Sequence, residues 1–359
     1  MTFEYRSLLD FENTAKAKLH PGLVRYMEKA AGCGKSLAAN LESFDHYSII
    51  PRVLANIDKV STRTKILGSE LQTPILIAPT AFQKLYCENG EKDASDAARE
   101  FGTNYVISSF SNCDYSELGR DLFHTWYQLL IYKDKSLMKE SIEKAERAGC
   151  QAIVLTVDAP IGCTMCKKAS NSENTIDFPL HNLPLFPTDP EIPFGTLDDY
   201  YLKYIDSSAG WKDIQHIMSF TSLPIILKGI LHPLDAMRAL ELGVRGIIIS
   251  NHGGRQLDGT ISSLEALRII GPKFRDKMEI YMDGGIRSGS DIFKAIALGA
   301  RAVFIGRPAL YGLAVSGKSG LLDVLHLLNE ELRQLMHLTG CSKLGEIDPA
   351  HLHGLRNYN

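Results

Sequence analysis

The segment from Ser250 to Asp258 brings together two side chains that could act on one small acid. Its residues are Ser250-Asn251-His252-Gly253-Gly254-Arg255-Gln256-Leu257-Asp258. An imidazole can remove a proton from a substrate, and a guanidinium can hold the substrate's anion beside it. The segment follows the apolar run 246–249, which is typical of a buried strand. We interpret it as an active-site loop at the end of a strand, the alternative being a glycine-rich surface turn with an incidental histidine.

Eight short apolar runs are available to position this loop. They lie at 74–78, 105–108, 126–129, 152–156, 224–228, 246–250, 280–283 and 302–305. Their nearly continuous apolar character is typical of parallel strands that are covered on both faces. The segments between them show helical spacing, and several end in glycine, as helices commonly do. This alternation predicts an α/β fold, a (β/α)8 TIM barrel that occupies the chain, 1–359, as one domain.

Two segments lie outside this alternation. Residues 1–70 precede the first strand, and we expect them to form a partly helical cap on one end of the barrel. Residues 159–222 separate the fourth and fifth strands by far more than the usual few residues. A long connection at the catalytic end of a barrel predicts a lid, and a disordered insertion is an equal alternative.

Composition and charge favour a small-molecule enzyme over a nucleic-acid or membrane protein. Of the 359 residues, 45% are hydrophobic and 23% are charged, and the formal net charge is −3. A charge this close to balance gives no support for nucleic-acid binding, and no apolar run approaches the roughly 18 residues that cross a bilayer. Neither end carries a recognised targeting pattern, so we expect a cytoplasmic location.

The seven cysteines are scattered, and we expect most of them to be reduced thiols in or near the core. Cys163 and Cys166 have the C-x-x-C spacing of some metal and redox sites. Without a second pair nearby this spacing is weak evidence, so we expect no metal.

Polar residues follow the predicted strands at the end where a barrel carries its chemistry. In chain order they are Thr80, Ser108, Gln128, Thr156 with Asp158, Lys228, Ser250 with His252 and Arg255, Asp283, and Arg307. Charged and polar side chains that are grouped in this way must find partners, so their convergence on one rim predicts a binding site.

Two glycine–arginine pairs within this set indicate where an anion would bind. Gly285 with Arg287, and Gly306 with Arg307, follow the seventh and eighth strands, where barrels commonly hold phosphate. Lys228 ends a strand of apolar residues and therefore needs a counter-charge. Either a cofactor that becomes anionic on reduction or a neighbouring carboxylate could supply it.

With these residues assembled, the chain resembles the FMN-dependent 2-hydroxy-acid oxidase and dehydrogenase family, which includes glycolate oxidases and lactate and mandelate dehydrogenases. The resemblance runs from about residue 5 to about residue 350. The motifs that carry it are Ile77-Ala78-Pro79-Thr80-Ala81, Leu155-Thr156-Val157-Asp158, Leu227-Lys228-Gly229, the segment Ser250 to Asp258, Asp283-Gly284-Gly285 and Phe304-Ile305-Gly306-Arg307-Pro308. It implies an oxidoreductase that acts on a CH–OH group, with FMN as its cofactor.

The resemblance also implies a role for each matched residue. The flavin ring would be lined by Thr80, Ala81, Ser108, Gln128, Thr156 and Ser250, and its ribityl phosphate end would be held by Asp283, Gly285, Arg287, Gly306 and Arg307. His252 would be the base, and Asp158 would pair with the imidazolium that forms. Arg255 would grip the substrate's carboxylate, and Lys228 would stabilise the reduced flavin. Whether the mechanism uses a carbanion or a hydride stays open.

Several positions that contact substrate in the family differ here. Glu28 stands four residues before Gly32, where the family has a tyrosine, and Leu130 stands where it has a second tyrosine. Thr164 lies in the stretch where the family has an arginine, and Phe110 replaces a common tryptophan.

These differences predict an altered substrate pocket, in which Arg255, Glu28, Leu130 and Phe110 contact the substrate. A carboxylate at Glu28 would repel a substrate carboxylate, so we expect a larger hydroxy acid, an alcohol, an amine or a carrier- or peptide-bound group. The alternative is that Glu28 points away and that Lys167 or Lys168 replaces the missing arginine.

Two other functions remain open at this stage. One is an FMN-dependent barrel enzyme that acts on a non-carboxylate substrate, and the other is a flavoprotein that has lost its activity. The family resemblance also predicts a homotetramer that binds a small molecule, without nucleic acid or membrane as a partner.

Overall fold

The computed structural model describes residues 7–118, 122, 124–162 and 197–354. Its twelve strands are β1 (Ser48–Ile49), β2 (Thr64–Ile66), β3 (Ser69–Leu71), β4 (Ile75–Ile77), β5 (Tyr105–Ser108), β6 (Thr125–Leu130), β7 (Ile153–Thr156), β8 (Ile225–Ile230), β9 (Gly246–Ile249), β10 (Glu279–Asp283), β11 (Ala302–Ile305) and β12 (Leu352–His353). Strands β4 to β11 pair in parallel in chain order, and β11 pairs with β4 to close an eight-stranded barrel. The prediction of a (β/α)8 barrel is confirmed, and its eight runs match these strands to within a few residues.

Successive side chains along each barrel strand point into two different apolar environments, because side chains in a strand alternate between its two faces. One set of side chains fills the barrel interior, where the ring of Trp126 packs against those of Tyr281 (centroids 5.6 Å apart) and Phe304 (6.0 Å). The other set packs against the surrounding helices. The hairpin of β2 and β3 adds Ile66 and Leu71 to the interior cluster. Its turn donates a hydrogen bond to the start of β10, from Leu67 N to Glu279 Oε1 at 2.9 Å, so the hairpin closes the N-terminal end of the barrel.

Twelve α-helices surround this barrel in the described part of the chain. They are α1 (Leu8–Lys18), α2 (Pro21–Glu28), α3 (Lys35–Glu42), α4 (Glu91–Phe101), α5 (Tyr115–Leu118), α6 (Lys135–Ala148), α7 (Leu197–Tyr204), α8 (Trp211–Met218), α9 (Pro233–Glu241), α10 (Ser263–Phe274), α11 (Gly289–Ala297) and α12 (Arg307–Thr339). None of the helices in these residues is both long and apolar enough to cross a membrane.

Helices α2 and α3 bring the N-terminal segment to the C-terminal mouth of the barrel. Gly254 has no room for a side chain, because a Cβ there would lie 2.6 Å from the backbone nitrogen of Leu37 in α3. Gly285 is equally restricted, since its Cβ would lie 2.1 Å from the carbonyl oxygen of Asn40. The glycines after β9 and β10 therefore allow α3 to approach the loops that carry the predicted site.

The connection between β7 and β8 contains two helices that its sequence did not predict. Helices α7 and α8 occupy its second half, and α7 lies against the barrel mouth through Leu197 and Tyr201. Residues 163–196 lie outside the described residues, so the lid and the insertion both stay predictions. Thr164 and the Cys163–Cys166 spacing fall in the same stretch.

Candidate active site

A cavity of about 200 Å³ opens at the C-terminal ends of the barrel strands. Most of the predicted site residues line it: Thr80, Ala81, Ser108, Phe110, Gln128, Leu130, Thr156, Lys228, His252, Arg255, Asp283, Gly285, Arg287, Gly306 and Arg307. Asp158 and Ser250 do not line it, but they bond to residues that do. Among the described residues, Glu28 neither lines the cavity nor forms a hydrogen bond or ion pair with a residue that does. The fold thus collects residues from all eight strand ends at one mouth.

His252 projects from the turn after β9 and is held by Asp158. Its Nδ1 lies 3.0 Å from Asp158 Oδ1, so Nδ1–H can donate to the carboxylate and leave the lone pair on Nε2. Burial alone would raise the pKa of Asp158, but the imidazole of His252 and the ammonium of Lys228 outweigh it and lower that pKa below its ordinary value. The carboxylate is therefore charged at neutral pH and can stabilise a protonated imidazole.

The backbone around His252 is strained and is braced by the N-terminal segment. His252 has φ of 59°, in the left-handed region that side chains other than glycine rarely adopt. The side chains of Asn40 and Asn251 exchange two hydrogen bonds, of 2.7 and 2.9 Å, and both residues are buried. Asn251 Oδ1 also accepts from Gly254 N at 3.1 Å. This network offsets the local strain and fixes the direction of the imidazole.

Lys228 has a protein counter-charge. Its Nζ lies 2.9 Å from Asp283 Oδ2 and 2.9 Å from Ser250 Oγ, and the lysine is 5% exposed. Burial would lower the pKa of Lys228, but the carboxylates of Asp283 and Asp158 reverse this and raise it. Of the two sources of counter-charge that the sequence left open, the structure supplies the carboxylate. The lysine stays charged and presents its ammonium to the cavity.

Three guanidinium groups meet in the cavity without a carboxylate bonded to them among the described residues. Arg307 donates to the carbonyl oxygens of Met27 (2.9 Å), Gly253 (3.1 Å) and Lys29 (3.1 Å). Arg255 Nη1 donates to the carbonyl oxygens of Met27 (3.1 Å) and Tyr26 (2.9 Å). Carbonyl oxygens at the end of a helix such as α2 carry partial negative charge, which compensates the guanidinium groups only in part.

The remaining positive charge favours a bound anion. Burial and then the charges of Arg255 and Arg287 lower the pKa of Arg307 to about 10. Arg287 Nη1 donates only to the carbonyl oxygen of Ile286 among the described residues, at 2.8 Å, which leaves most of its donors free. An anion between these side chains would relieve their mutual repulsion.

The residues at the mouth fit the FMN that the resemblance implies. Arg287 and Arg307 can hold a phosphate, beside Gly284 and Gly285, where φ is 95° and 86°. Asp283 Oδ1 is buried without a partner among the described residues, so it can accept a bond from a ribityl hydroxyl. Lys228 faces the same cavity and can stabilise negative charge on a flavin ring.

Glu28, which the sequence predicts to contact the substrate, is not among the described residues that line this cavity. Glu28 forms an ion pair with Lys16 of α1 instead. The neighbouring cavity position belongs to Tyr26, whose ring lies under the guanidinium of Arg255, 5.0 Å from its Cζ. Residues two apart on a helix point to different sides, so the phenol and the carboxylate cannot both face the cavity. Counting back from Gly32 selected the wrong residue, because the loop after α2 makes a glycine there a poor reference point.

Phe110 and Leu130 do lie in the cavity, next to two residues that sequence reasoning missed. The ring of Tyr201 is nearly parallel to that of Phe110, with centroids 6.5 Å apart and 17° between the planes. Leu197, one turn earlier on α7, completes this wall. No sequence signal placed α7 at the barrel mouth, because its residues are far from every motif.

Comparison with known proteins gives one consistent result. Residues 15–354 match the family model described as FMN-dependent dehydrogenase. A 2-hydroxyacid oxidase of Dictyostelium discoideum is 38% identical over 351 residues, covering 95% of this chain and 88% of that protein. An L-lactate oxidase of a Nostoc species is 39% identical over 364 residues, covering 97% and 98%.

Solved structures agree with these relatives. The crystal structure of mandelate oxidase with (S)-4-hydroxymandelic acid superposes with a TM-score of 0.86 at 35% identity, covering 97% of this chain and 98% of that one. The match to the family model and the identity to its members both extend over nearly the whole chain. The chain therefore belongs to the family of FMN-dependent 2-hydroxy-acid oxidases and dehydrogenases, and it is an oxidoreductase with FMN as its cofactor.

Proposed function

We propose that this enzyme oxidises the CH–OH carbon of a 2-hydroxy acid to the corresponding 2-oxo acid. The observation that carries the proposal is the His252–Asp158 pair, which lies at the same cavity as the free donors of the arginine cluster. The relatives are named as oxidases of 2-hydroxy acids, and this supports the same substrate class. The oxidation breaks the C–H and O–H bonds and releases two electrons and two protons. Bound FMN would accept the two electrons and one of the protons, and His252 takes the other proton.

Each residue of the pair has one task in the reaction. His252 Nε2 takes one proton from the substrate, because Nδ1 is committed to Asp158. Asp158 is a charged, mostly buried partner that stabilises the imidazolium formed. The proposal covers removal of the proton from either the hydroxyl or the α-carbon.

Arg255 binds the carboxylate of the substrate. Its Nη1 is bonded to carbonyl oxygens at the end of α2, which fixes the plane of the guanidinium, and the N–H groups that the Tyr26 phenol does not use are available to the anion. The phenol of Tyr26, packed against the same guanidinium, is placed to donate to that carboxylate as well.

The cofactor contacts are part of the same proposal. Lys228 and Ser250 would lie beside the flavin ring, which would be further lined by Thr80, Ala81, Ser108, Gln128 and Thr156. Asp283, Gly285, Arg287, Gly306 and Arg307 would hold the ribityl phosphate end.

An anaerobic screen tests the proposed reaction. The purified yellow protein is mixed with glycolate, lactate, mandelate and longer 2-hydroxy acids while flavin absorbance is followed. We expect at least one of them to bleach the flavin with formation of one 2-oxo acid per FMN. Failure of every 2-hydroxy acid to bleach a flavin that dithionite reduces would overturn the proposal.

We further infer that the substrate carries an apolar or aromatic side chain. Phe110, Leu130, Leu197 and Tyr201 form an apolar wall near His252, where a small substrate such as glycolate would leave space unfilled. A methylene that fills such a pocket changes kcat/KM by about 10- to 200-fold. We expect phenyl- or alkyl-substituted 2-hydroxy acids to exceed glycolate by at least about 10-fold in kcat/KM. Equal kcat/KM values across the series would contradict the inferred side chain while leaving the reaction class intact.

The two alternative functions are not favoured. The relatives are named as oxidases, and the base, its acidic partner and the arginine cluster are all present at the mouth. The altered-substrate hypothesis loses its charge argument, because Glu28 is bonded to Lys16 outside the cavity. The proposal keeps only the expectation that the substrate has a larger side chain than glycolate.

A homotetramer in the cytoplasm completes the proposal. The tetramer follows from the family resemblance and predicts about four times the chain mass of 39.8 kDa in light scattering. A monomer that turns over at the full rate would contradict it. Fractionation of the source cells tests the compartment.

A further inference from the structure

Gln83 is a buried glutamine next to the cavity that the proposed reaction does not use. It begins the 3-10 turn Gln83–Leu85 and is fully buried. Its Nε2 donates to the hydroxyl oxygen of Thr80 at 2.9 Å and to the carbonyl oxygen of Thr80 at 3.4 Å. A carbonyl oxygen can only accept, so the NH2 group of the amide must face Thr80 and Oε1 must face the opposite side.

This orientation determines what the Thr80 hydroxyl can do. The hydroxyl oxygen accepts from Gln83, so its own hydrogen must point elsewhere. Within the described residues no acceptor takes that hydrogen, and Thr80 is part of the cavity lining. The hydroxyl is therefore available as a donor to a molecule in the cavity.

Glu91 holds Gln83 in place from the other side. Glu91 is fully buried at the first residue of α4, and its Oε1 accepts from Gln83 N at 3.0 Å and from Asn112 N at 3.1 Å. Burial raises the pKa of this carboxyl group.

The cluster of buried polar side chains formed by Gln83, Glu91 and Tyr105 destabilises the fold. Gln83 Oε1, Glu91 Oε2 and Tyr105 Oη are buried without a close hydrogen-bond partner among the described residues, although Tyr105 interacts with Gln83, and Glu91 with Cys113, at longer range. A buried polar atom without a close partner destabilises a fold. Polar groups retained at this cost beside a cavity indicate a role in the site rather than in stability.

We propose that Gln83, whose backbone N–H is held by Glu91, is a positioning residue whose side-chain amide directs the hydroxyl hydrogen of Thr80 to an acceptor atom of the flavin ring. This inference rests on the placement of the flavin ring in the proposed function. Ring acceptor atoms gain negative charge on reduction, so a fixed donor stabilises the reduced form more than the oxidised form. The hydrogen bond from Gln83 to Thr80 therefore raises the midpoint potential of the bound FMN.

The test measures the midpoint potential with a reference dye and a chemical reductant, in the absence of any substrate. Gln83→Met removes the amide at similar volume, and Thr80→Val removes the hydroxyl at the same shape. We expect each variant to favour the oxidised form about three- to tenfold, a fall of roughly 15–30 mV for a two-electron couple. The double variant should fall no further than either single one, because both changes remove the same donor.

Three controls separate this role from a general loss of structure. Thr80→Ser keeps the hydroxyl and should keep the wild-type potential. Gln334→Met, at a glutamine bonded to Glu330 on α12, should leave the potential unchanged. Thermal unfolding and the dissociation constant of oxidised FMN are measured for each variant, and we expect the latter to change less than about threefold.

Two results would overturn the proposal. One is an unchanged potential in Thr80→Val, and the other is a pair of falls that add in the double variant. If Gln83→Met does not fold, the Thr80→Val and Thr80→Ser pair still decides whether the hydroxyl is the donor. Because no substrate enters the measurement, its outcome is independent of which hydroxy acid the enzyme oxidises, and failure of the substrate screen would not alter it.

Discussion

The two sides of the cavity are built on different principles. On the side of β8 to β11, Lys228, Asp283 and Arg307 are each held by directional hydrogen bonds of about 3 Å. On the side of β5, β6 and α7, Phe110 and Leu130 are held by apolar and ring packing. Directional bonds hold charges where electrons and protons must move, whereas apolar packing tolerates a change of shape. The reaction class is therefore expected to depend on the first side and the choice of substrate on the second.

The largest expected effect comes from His252, which lies on the side of β8 to β11, the polar side of the cavity. His252→Ala removes the base, and we expect the rate of flavin reduction by substrate to fall by about 10²–10⁴-fold. FMN should stay bound, because the arginine cluster is intact. Stopped-flow absorbance measures the reduction rate, and unchanged reduction would remove the histidine from the mechanism.

Asp158→Asn is the next largest change. We expect a smaller loss of rate than for His252→Ala, on the order of 10²-fold, because the imidazolium loses its charged partner. The pKa of Asp158 is lower in the folded protein than its ordinary value of 3.8, so the carboxylate stabilises the fold above that pH. This contribution is lost as the pH falls below 3.8 towards the folded value.

Denaturant unfolding of wild type and Asp158→Asn at several pH values measures how the stabilising contribution of Asp158 changes with pH. The stability difference should be full near pH 6–7 and should shrink below about pH 4. A difference that grows on acidification would contradict the assignment of Asp158 as a charged partner of His252.

Substitutions of the two arginines proposed to bind the phosphate are expected to differ in their effect on stability. Arg287→Ala should weaken FMN binding by about 10- to 10²-fold with little loss of stability, because the Arg287 side chain bonds only to Ile286 O among the described residues. Arg307→Ala should weaken binding and also destabilise the apoprotein, because Arg307 ties three backbone carbonyls together. Fluorescence titration with FMN and thermal unfolding of the apoprotein measure the two effects separately. Equal losses of stability would remove the distinction.

The smallest effect is expected at Glu28, outside both sides of the cavity. Glu28→Gln breaks the ion pair with Lys16, which costs at most about 1 kcal/mol at a partly exposed site, and removes a longer-range attraction to Arg307. The KM and kcat for any accepted hydroxy acid should stay within about twofold of wild type. A large change in KM would restore Glu28 to the substrate site.

Sequence patterns were sufficient for the barrel and for the polar side of the cavity. The strands could be located because residues buried on both faces must be nearly all apolar, which leaves a strong local signal. The residues of the polar side could be located because each directly follows a strand, and a closed parallel barrel brings all such positions to one mouth. Lys228 and Arg307 therefore occupy the cavity as predicted.

The residues that reach the cavity from the helices were not predicted, because their positions depend on contacts between distant segments. Tyr26 and Tyr201 reach the cavity from α2 and α7, and no local pattern records how these helices dock. Glu28 was assigned to the site from its spacing to a glycine, although helical geometry turns it towards Lys16. The counter-charge of Lys228 was likewise undecided until the structure placed Asp283 beside it.

By itself, the amino-acid sequence determined the alternation of strands and helices and the order of chemical groups along the barrel rim. Both are consequences of local periodicity, in which burial selects apolar residues and strand ends expose the residue that follows. Only the tertiary structure decided which phenols face Arg255, which carboxylate neutralises Lys228 and how Gln83 orients Thr80. These depend on distances between residues far apart in the chain, which a linear pattern does not encode until packing brings them together.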